Sequence, residues 1–241
     1  MTTPRYDQIA DWYNESIRSG SLIHDLVVPN LLNLAGDIQG KHVCDLACGQ
    51  GVISRQLAHM GASVVGVDIA EKMLEYARRD EEMEPLGIVY LHDDAQTVSS
   101  IADATFDGAV CNMSLMDVTD VSATFHTVRR ILREGGWFAF SITHPCFQTP
   151  ASTWMNAEDG TVYREVRGYF AEGFWRSDNA RGVRGQVGAY HRMLSTYLNA
   201  LAEAGFLLER MVEPQATGEI ATSIPGYVEV PAAFVVRCKR I

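Results

Sequence analysis

Apolar residues follow two alternating patterns along most of this chain. Short, nearly uninterrupted apolar runs predict strands buried on both faces, and the segments between them repeat apolar residues every three to four positions, as amphipathic helices do. The predicted strands are residues 42–47, 62–68, 87–92, 106–112 and 137–143, and the predicted helices between them are residues 51–60, 70–83 and 119–133. This alternation predicts an α/β fold with a parallel sheet covered by helices on both faces.

The alternation is absent from three parts of the chain. Residues 1–35 contain two helical patterns and no strand pattern. Residues 144–189 show no clear period and interleave aromatic residues with glycines and arginines, so we interpret them as an insertion after the fifth strand. Residues 190–241 predict one helix, closed by Gly205, and two final strands. With residues 40–143 as its core, the whole chain is expected to form a single domain.

Composition argues against several classes of function. The 241 residues carry 20 basic and 30 acidic side chains, and the resulting formal charge of −10 argues against nucleic acid or anionic membrane as a partner. No apolar run approaches the ~18 residues of a membrane span, and the amino terminus lacks the basic and apolar regions of a signal peptide. We therefore expect a cytoplasmic protein. The five cysteines include no C-x-x-C pair, so neither a metal site nor a disulfide framework is expected.

Candidate chemistry is concentrated in the turn after the first predicted strand. The sequence VCDLACGQG ends a strand at Asp45 and then places Gly49 and Gly51 two positions apart. A dinucleotide-binding loop needs a third glycine, which is missing here, and Asp45 would repel a pyrophosphate. The next strand ends at Asp68, which can accept hydrogen bonds from both ribose hydroxyls of a nucleoside or cap the following helix. This pattern favours a nucleoside ligand that carries positive charge and no phosphate.

Four motifs in this order resemble those of class I methyltransferases that use S-adenosylmethionine and act on small molecules. They are D-x-x-C-G-x-G from Asp45 to Gly51, Asp68 in GVDIAEKMLEYAR, the Asp-Ala pair in HDDAQ, and the strand FDGAVCN at residues 106–112. The resemblance implies a Rossmann-like sheet of seven strands in the order 3-2-1-4-5-7-6, whose last strand is antiparallel. It also implies S-adenosylmethionine as the cofactor and S-adenosylhomocysteine as the product.

The resemblance assigns the cofactor contacts to the ends of these strands. Asp45 would offset the ammonium and sulfonium charges, Asp68 would bind the ribose, and Asn112 would face the methionine moiety. Asp94 and the Ala95 N–H would contact the adenine edge. The helical segment YDQIADWYN resembles the family's cofactor lid, which would comprise residues 1–35, although it can also be a surface helix that packs an aromatic stripe onto the domain. The full set of expected cofactor residues is Tyr6, Tyr13, Asp45, Ala47, Gly49, Gly51, Asp68, Ile69, Met73, Asp94, Ala95, Asn112 and Met113.

Two further side chains have two interpretations each. Met73 either flanks the adenine or belongs to the core, where a methionine at helical spacing is common. Arg55 either pairs with the carboxylate of the cofactor or lies on a solvated helix face. The sequence alone leaves both alternatives open.

The acceptor is expected to lie under the insertion. The segments SITHPCF and HRMLSTYLNALAEAGF resemble bacterial methyltransferases in which this insertion closes over the substrate. Seven aromatic residues between positions 154 and 190 can wall a pocket for a planar or apolar molecule. Six arginines against three acids in residues 164–192 can attract an anionic group, or can pair within the loop. The expected partner is a small-molecule acceptor, aromatic or anionic, and the oligomeric state stays open.

His144 and His191 are the candidate acid–base residues of this region, because imidazole titrates near neutral pH, and Tyr169 is a third candidate. Either histidine can instead be structural. Since the sulfonium is already a strong electrophile, alignment of the acceptor can suffice. We expect in-line transfer of the methyl group to an O, N or C atom. Two alternatives stay open: use of the methionine side chain, which leaves methylthioadenosine, and cofactor binding without catalysis.

Overall fold

The computed structural model describes residues 5–241, in which one sheet of seven strands is accompanied by two two-stranded ribbons. In chain order the strands are β1 (His42–Leu46), β2 (Ser63–Asp68), β3 (Val89–His92), β4 (Phe106–Asn112), β5 (Leu132–Thr143), β6 (Thr153–Asn156), β7 (Val162–Glu165), β8 (Gly173–Trp175), β9 (Ala189–His191), β10 (Phe206–Val212) and β11 (Ala233–Arg240). The order across the large sheet is β10-β11-β5-β4-β1-β2-β3.

This order confirms the predicted topology. The strands β1 to β5 run parallel to one another, and β11 is antiparallel to both of its neighbours, β5 and β10. When only the strands of the large sheet are counted along the chain, the order reads 3-2-1-4-5-7-6, as expected. Parallel strands place their carboxyl ends at one edge of a sheet, so the residues that follow β1, β2, β3 and β4 meet there.

Helices cover both faces of the sheet. They are a 3-10 turn (Tyr6–Gln8), α1 (Ala10–Arg18), α2 (Leu22–Ala35), α3 (Val52–His59), α4 (Glu71–Met83), α5 (Val121–Ile131), α6 (Val183–Gln186), α7 (Leu194–Glu203), α8 (Gly218–Ser223) and α9 (Gly226–Glu229). On one face α2, α3 and α4 bury Leu31, Leu57 and Leu74, and on the other face α5 and α7 pack on a cluster that contains Phe125 and Phe138. Burial on both faces explains why the strands read as continuous apolar runs. Within residues 5–241, every helix is too short or too polar to cross a lipid bilayer.

The insertion is more regular than its sequence indicates. The strands β6 and β7 form an antiparallel hairpin, and β8 pairs with β9. Each of these strands has only three or four residues, too few to display the two-residue alternation that identifies a strand. Because Ala189–His191 pairs with β8, the last predicted helix begins at Leu194 and not at residue 190. The short helices α8 and α9, between β10 and β11, were also not predicted from the pattern.

Candidate active site

A cavity of about 420 Å³ lies at the carboxyl ends of the central strands, within the size range of small-molecule sites. Twelve of the thirteen residues expected to contact the cofactor line it: Tyr6, Tyr13, Asp45, Ala47, Gly49, Asp68, Ile69, Met73, Asp94, Ala95, Asn112 and Met113. They come from the amino-terminal segment, from α4 and from the ends of four strands. The fold therefore brings residues as far apart in sequence as Tyr6 and Met113 into the wall of one cavity.

Gly51 is the thirteenth residue, and it does not line the cavity. It directly precedes α3 with a φ of 82°, in the left-handed region that favours glycine. A Cβ atom at this position would lie 2.4 Å from the hydroxyl oxygen of Tyr90 and 3.1 Å from the Cβ of Ala77. Gly51 thus permits the close approach of the α3 start to β3 and α4. This packing role replaces the cofactor contact expected from the sequence.

Asp45 is the most deeply buried acid of the cavity wall, with only 1% of its surface exposed. Its Oδ2 atom accepts a hydrogen bond from the Ser54 hydroxyl at 2.6 Å. Burial raises the pKa of the Asp45 carboxyl to about 7, although the bond from Ser54 acts in the opposite direction. The carboxyl is therefore near half ionisation at neutral pH. A cation bound in the cavity would favour its ionised form.

Asp68 connects the glycine loop to the start of α4. Its Oδ2 atom accepts the Gly49 N–H at 2.7 Å, and its Oδ1 atom accepts the Ala70 N–H at 2.8 Å. Burial raises the pKa of this carboxyl above its usual value, whereas the two backbone hydrogen bonds lower it. Each carboxylate oxygen retains a second acceptor site. The bond at the helix start that the sequence suggested is present, and it leaves capacity for a ligand diol.

Two residues of the cavity wall have a left-handed backbone conformation. Of the four non-glycine residues with a positive φ in residues 5–241, two line it: Ala47, with a φ of 54°, and Met113, with a φ of 53°. Residues held in such conformations occur preferentially at functional sites. Asn112, which precedes Met113 and also lines the cavity, accepts the Ser141 hydroxyl through Oδ1 at 2.7 Å. This bond orients the Asn112 side chain and leaves its NH₂ group as the donor for a ligand.

The loop after β3 forms the far wall of the cavity. Asp94 Oδ1 accepts the backbone N–H of Gln96 at 2.9 Å, which closes a tight local turn. Ala95 lies in that turn, and the Gln96 side chain accepts the Asp120 N–H at the start of α5. Asp94, Ala95 and Gln96 all line the cavity. The turn is thus fixed from both sides and presents a carboxylate and a small residue to the cavity.

The amino-terminal segment covers the cavity. The rings of Tyr6 and Tyr13 pack edge to face with centroids 5.2 Å apart, and both line the cavity. The Tyr6 hydroxyl donates to Asp117 Oδ2 at 3.2 Å. On the other side, Asp7 Oδ1 accepts the Lys72 N–H at 2.9 Å at the start of α4. These contacts attach the segment to the loop after β4 and to α4.

Met73 belongs to the core and also reaches the cavity, where contact with the adenine stays a prediction. It is 1% exposed and packs with Ala10 of α1 and with Ala70, so it belongs to a small apolar cluster under the amino-terminal segment. It also lines the cavity. Residues 1–4, which the sequence included in the lid, lie outside the described residues.

Several residues of the cavity wall have no signal in the hydrophobic pattern. Gln50 is 5% exposed, and its Nε2 atom has no hydrogen-bond partner within residues 5–241. A buried donor without a partner is costly, and a ligand can satisfy it. Its position between the two glycines of the first motif is the signal that could have identified it. His24, from α2, also lines the cavity.

Arg55 does not line the cavity. Its guanidinium pairs with Glu81 and Glu84, so it is not available to the carboxylate of a cofactor.

His144 lies away from the cavity, in a structural environment. Its Nε2 donates to Glu213 at 2.7 Å, and its Nδ1 accepts the Cys146 N–H at 3.2 Å. The ring packs between Phe147 and Phe234 and is only 3% exposed. Because both nitrogens are engaged, neither is free to take a proton from an acceptor. The geometry replaces the catalytic role expected for His144 with the bracing of the chain after β5.

We predict that His144→Ala lowers the free energy of unfolding by about 2 kcal/mol, because it leaves buried polar partners unsatisfied. Urea unfolding would measure this change, and the affinity for S-adenosylhomocysteine should stay within about twofold of the wild-type value.

Burial lowers the pKa of His144, although Glu213 opposes the shift. The neutral ring is therefore favoured by folding, and the stability that it contributes is present above about pH 6.5 and is lost as the pH falls.

The exposed His126 on α5 provides the control, since His126→Ala should change neither stability nor its pH dependence by a measurable amount. A His144→Ala protein of normal stability that had lost turnover would restore a catalytic role for this residue.

His191 and Tyr169 also lie outside the 420 Å³ cavity. His191 Nε2 donates to the carbonyl oxygen of Tyr169 at 2.8 Å. The Tyr169 hydroxyl oxygen accepts the Leu194 N–H at 3.0 Å, at the start of α7. Tyr169 thus braces the insertion and is not placed to accept a proton in the cavity. His191 lines a separate, smaller cavity of about 70 Å³.

Residues 5–241 contain no group of three or more His, Cys, Asp or Glu side chains that could hold a metal ion.

Comparison with known proteins agrees with this geometry. Ubiquinone biosynthesis O-methyltransferase from Coxiella burnetii is 30% identical over 155 residues, which cover 63% of this chain and 65% of that protein. The enzyme of the same name from Bordetella avium is 30% identical over 119 residues, 49% of each chain. The chain thus spans between half and two thirds of the length of these curated relatives.

Two further matches concern the family itself. A family model described as a methyltransferase domain matches residues 44–140. The crystal structure of an S-adenosylmethionine-dependent methyltransferase from Mesorhizobium loti matches with a TM-score of 0.79 and 31% identity, over 91% of this chain and 100% of that one. Both the sheet order and the cavity at its carboxyl edge are thus accounted for: this chain belongs to the S-adenosylmethionine-dependent methyltransferases.

Proposed function

We propose that this protein transfers a methyl group from S-adenosylmethionine to a small molecule and releases S-adenosylhomocysteine. The observation that carries the proposal is the set of three carboxylates, Asp45, Asp68 and Asp94, in the wall of one cavity, where a fourth, Asp117, is paired with Arg184. A dinucleotide would bring a pyrophosphate against these acids, whereas S-adenosylmethionine brings an ammonium and a sulfonium. The unpartnered amide of Gln50 adds a donor that the carboxylate of the cofactor can use.

Each part of the cofactor has a suitable group in the wall. We assign the ammonium to Asp45, the methionine carboxylate to the amides of Gln50 and Asn112, and the ribose diol to Asp68. Ile69 and Met73 would flank the adenine, and Asp94 and the Ala95 N–H would contact its polar edge. Tyr6 and Tyr13 cover the site and exclude water from it. These assignments follow the donor and acceptor character of each side chain.

The residues of the chain act mainly by binding and alignment. The bound cofactor supplies a methyl group on a positively charged sulfur, which is already activated for displacement. A lone pair of the acceptor would form the new bond to the methyl carbon, the carbon–sulfur bond electrons would return to sulfur, and the proton of a hydroxyl acceptor would be released to solvent. No nucleophile from the protein is needed. Holding the two reactants in line removes most of the entropic barrier, and the closed amino-terminal segment keeps water out.

The acceptor atom that we propose is an oxygen of a small molecule. Support comes from the two curated relatives, which are named as O-methyltransferases of ubiquinone biosynthesis. We do not propose an anionic acceptor. Arg164 and Arg192, of the insertion and β9–α7 connection, donate to neutral oxygens, and Arg184 pairs with Asp117. These contacts favour the interpretation that Arg164, Arg184 and Arg192 are used within the chain.

Incubation of the purified protein with methyl-labelled S-adenosylmethionine and a small-molecule cell extract tests this proposal. We expect label in a low-mass product and an equal amount of S-adenosylhomocysteine, both measured by mass spectrometry. Methylthioadenosine in place of S-adenosylhomocysteine would support use of the methionine side chain instead. Cofactor binding without any product from extracts of several sources would support a binding protein. The Asp68→Ala variant provides the control for label transferred by contaminating enzymes.

A further inference from the structure

A second cavity, of about 70 Å³, lies at the carboxyl end of β5. Its wall includes Thr143, the last residue of β5, and His191 of β9. The neighbouring strand β4 ends at Asn112, which lines the cofactor cavity. Because β4 and β5 are adjacent and parallel, the two cavities lie side by side at one edge of the sheet.

One ion pair lies between them. Asp117 lines the cofactor cavity, Arg184 lines the second cavity, and the Asp117 Oδ1 and Arg184 Nη1 atoms are 2.6 Å apart. Met116, the residue before Asp117, lines the second cavity. The ion pair is therefore part of the partition between the cavities, and movement of Arg184 would open this part without any change in the sheet.

His191 provides the second cavity with one defined hydrogen-bonding group. Its Nε2 is bonded to the Tyr169 carbonyl oxygen, which can only accept, so Nε2 carries the proton. In the neutral ring Nδ1 then holds a lone pair, and it has no hydrogen-bond partner within residues 5–241. The side chain is 4% exposed. A ligand in the second cavity is the group best placed to donate to Nδ1.

The rest of the wall has an aromatic and a polar part. The aromatic part is Trp175, Tyr190 and Tyr197, and the polar part includes Gln148, Arg184 and Arg192. These three polar side chains are hydrogen-bonded to other parts of the chain. A benzene-sized ring occupies a cavity of roughly 150 Å³, so the closed volume here is too small for one and the partition has to open. Aromatic walls with the His191 acceptor suit a planar molecule that carries one hydroxyl at its edge.

We propose that the second cavity is the acceptor subsite, that it binds the ring of a hydroxylated aromatic molecule, and that the Asp117–Arg184 pair is the partition that opens to admit it. The ring hydroxyl donates to His191 Nδ1. Only the identification of the bound molecule as the methyl acceptor rests on the proposed function. Binding of a ring hydroxyl in the cavity can be tested without turnover.

The test is calorimetric titration of the S-adenosylhomocysteine-saturated protein with phenol and with toluene, which has a ring of the same size but no hydroxyl. In the wild-type protein phenol should bind at least as tightly as toluene. His191→Gln keeps a donor for the Tyr169 carbonyl and replaces the Nδ1 acceptor by an amide oxygen in a different position. It should weaken phenol binding about tenfold, as expected for one buried hydrogen bond, and leave toluene binding within twofold. Equal effects on the two ligands would overturn the role of His191.

A cavity-filling variant tests the location. Ala189→Val adds two methyl-sized groups to the wall and should weaken both ligands at least tenfold, whereas Ala171→Val, exposed in the insertion, should change neither. Unchanged binding in Ala189→Val would overturn the subsite.

A third variant tests the partition. Arg184→Gln removes the ion pair and should strengthen phenol binding about threefold or more, because no ion pair then has to be opened. Unchanged or weaker phenol binding would overturn the partition.

The failure of this inference and the failure of the proposed function are distinguishable. A wild-type protein that does not bind S-adenosylhomocysteine would contradict the proposed function. The phenol and toluene titrations would then be made on the ligand-free protein, where the same variants decide whether the second cavity binds a ring hydroxyl.

Discussion

Replacement of Asp68 by alanine is expected to weaken binding of S-adenosylhomocysteine by about 10- to 100-fold. A hydrogen bond to a charged carboxylate contributes ~1.5–3 kcal/mol, and each 1.4 kcal/mol changes the affinity tenfold. The Asp68 carboxylate can accept from the ribose while it holds the Gly49 and Ala70 N–H groups. The variant therefore loses both a ligand contact and the anchor of the glycine loop. Isothermal calorimetry would measure the change in the dissociation constant.

Two further variants separate these contributions. Asp68→Asn retains one carbonyl acceptor and should lose less affinity than Asp68→Ala. Asp107→Ala removes a carboxylate that also accepts a backbone N–H, from His42, but that lies at the amino end of β4, outside the cavity wall. It should leave the affinity within about twofold. An Asp68→Ala protein with wild-type affinity would remove Asp68 from the cofactor site.

The affinity for S-adenosylhomocysteine is expected to fall by about tenfold for each unit of pH below 7, because Asp45 must lose a proton to pair with the ammonium. Its pKa in the ligand-free protein is raised to about 7 by burial. Below that pH, binding of the cation must displace the proton, at a cost of about 1.4 kcal/mol per unit. Titrations at pH 6 and pH 8 would measure the difference. Asp45→Asn should bind more weakly at pH 8 and show a much flatter dependence on pH.

The same shift has a consequence for the ligand-free protein. Folding raises the pKa of Asp45 above its unfolded value of about 3.9. The protonated carboxyl therefore makes its whole contribution to the free energy of unfolding below about pH 3.9, and this contribution is lost as the pH rises to about 7. Asp68 also has a raised pKa, and His24 of the same wall has a lowered one, so the Asp45→Asn variant is needed to isolate the contribution of Asp45. A pH dependence that persisted unchanged in this variant would assign the effect to another group.

The fold was predictable because the central strands are buried on both faces. Burial on two sides requires a continuous apolar run, as in β1 and β4, and such runs are visible without any partner residue. The grouping of the cavity residues was predictable for a related reason. Parallel strands end at one edge, so Asp45, Asp68 and Asn112, each at the end of a strand, had to meet.

Side-chain direction was the part that the sequence could not supply. His144 follows β5 at the correct edge, but its ring turns towards Glu213 and Phe234. Nothing in a strand pattern specifies the direction of the first loop residue. Arg55 illustrates the same limit on a helix, where the acids that it contacts, Glu81 and Glu84, come from the end of α4 and the residue after it.

Loop residues whose role depends on a single contact were also missed. Asp117 follows β4 without any periodic context, yet it accepts the Tyr6 hydroxyl and pairs with Arg184, so it connects the amino-terminal segment to the insertion. Gln50 has an unsatisfied amide that becomes evident only when its burial is known. Both roles arise from segments far apart in sequence, which local patterns do not relate.

The central claim is that the cavity at the carboxyl edge of the sheet holds S-adenosylmethionine, and parallel calorimetric titrations of the wild-type protein with S-adenosylhomocysteine and with NAD test it most directly. The three carboxylates and the incomplete glycine loop predict one molecule of S-adenosylhomocysteine bound per chain, with no measurable binding of NAD. Binding of NAD by a protein that does not bind S-adenosylhomocysteine would contradict the account.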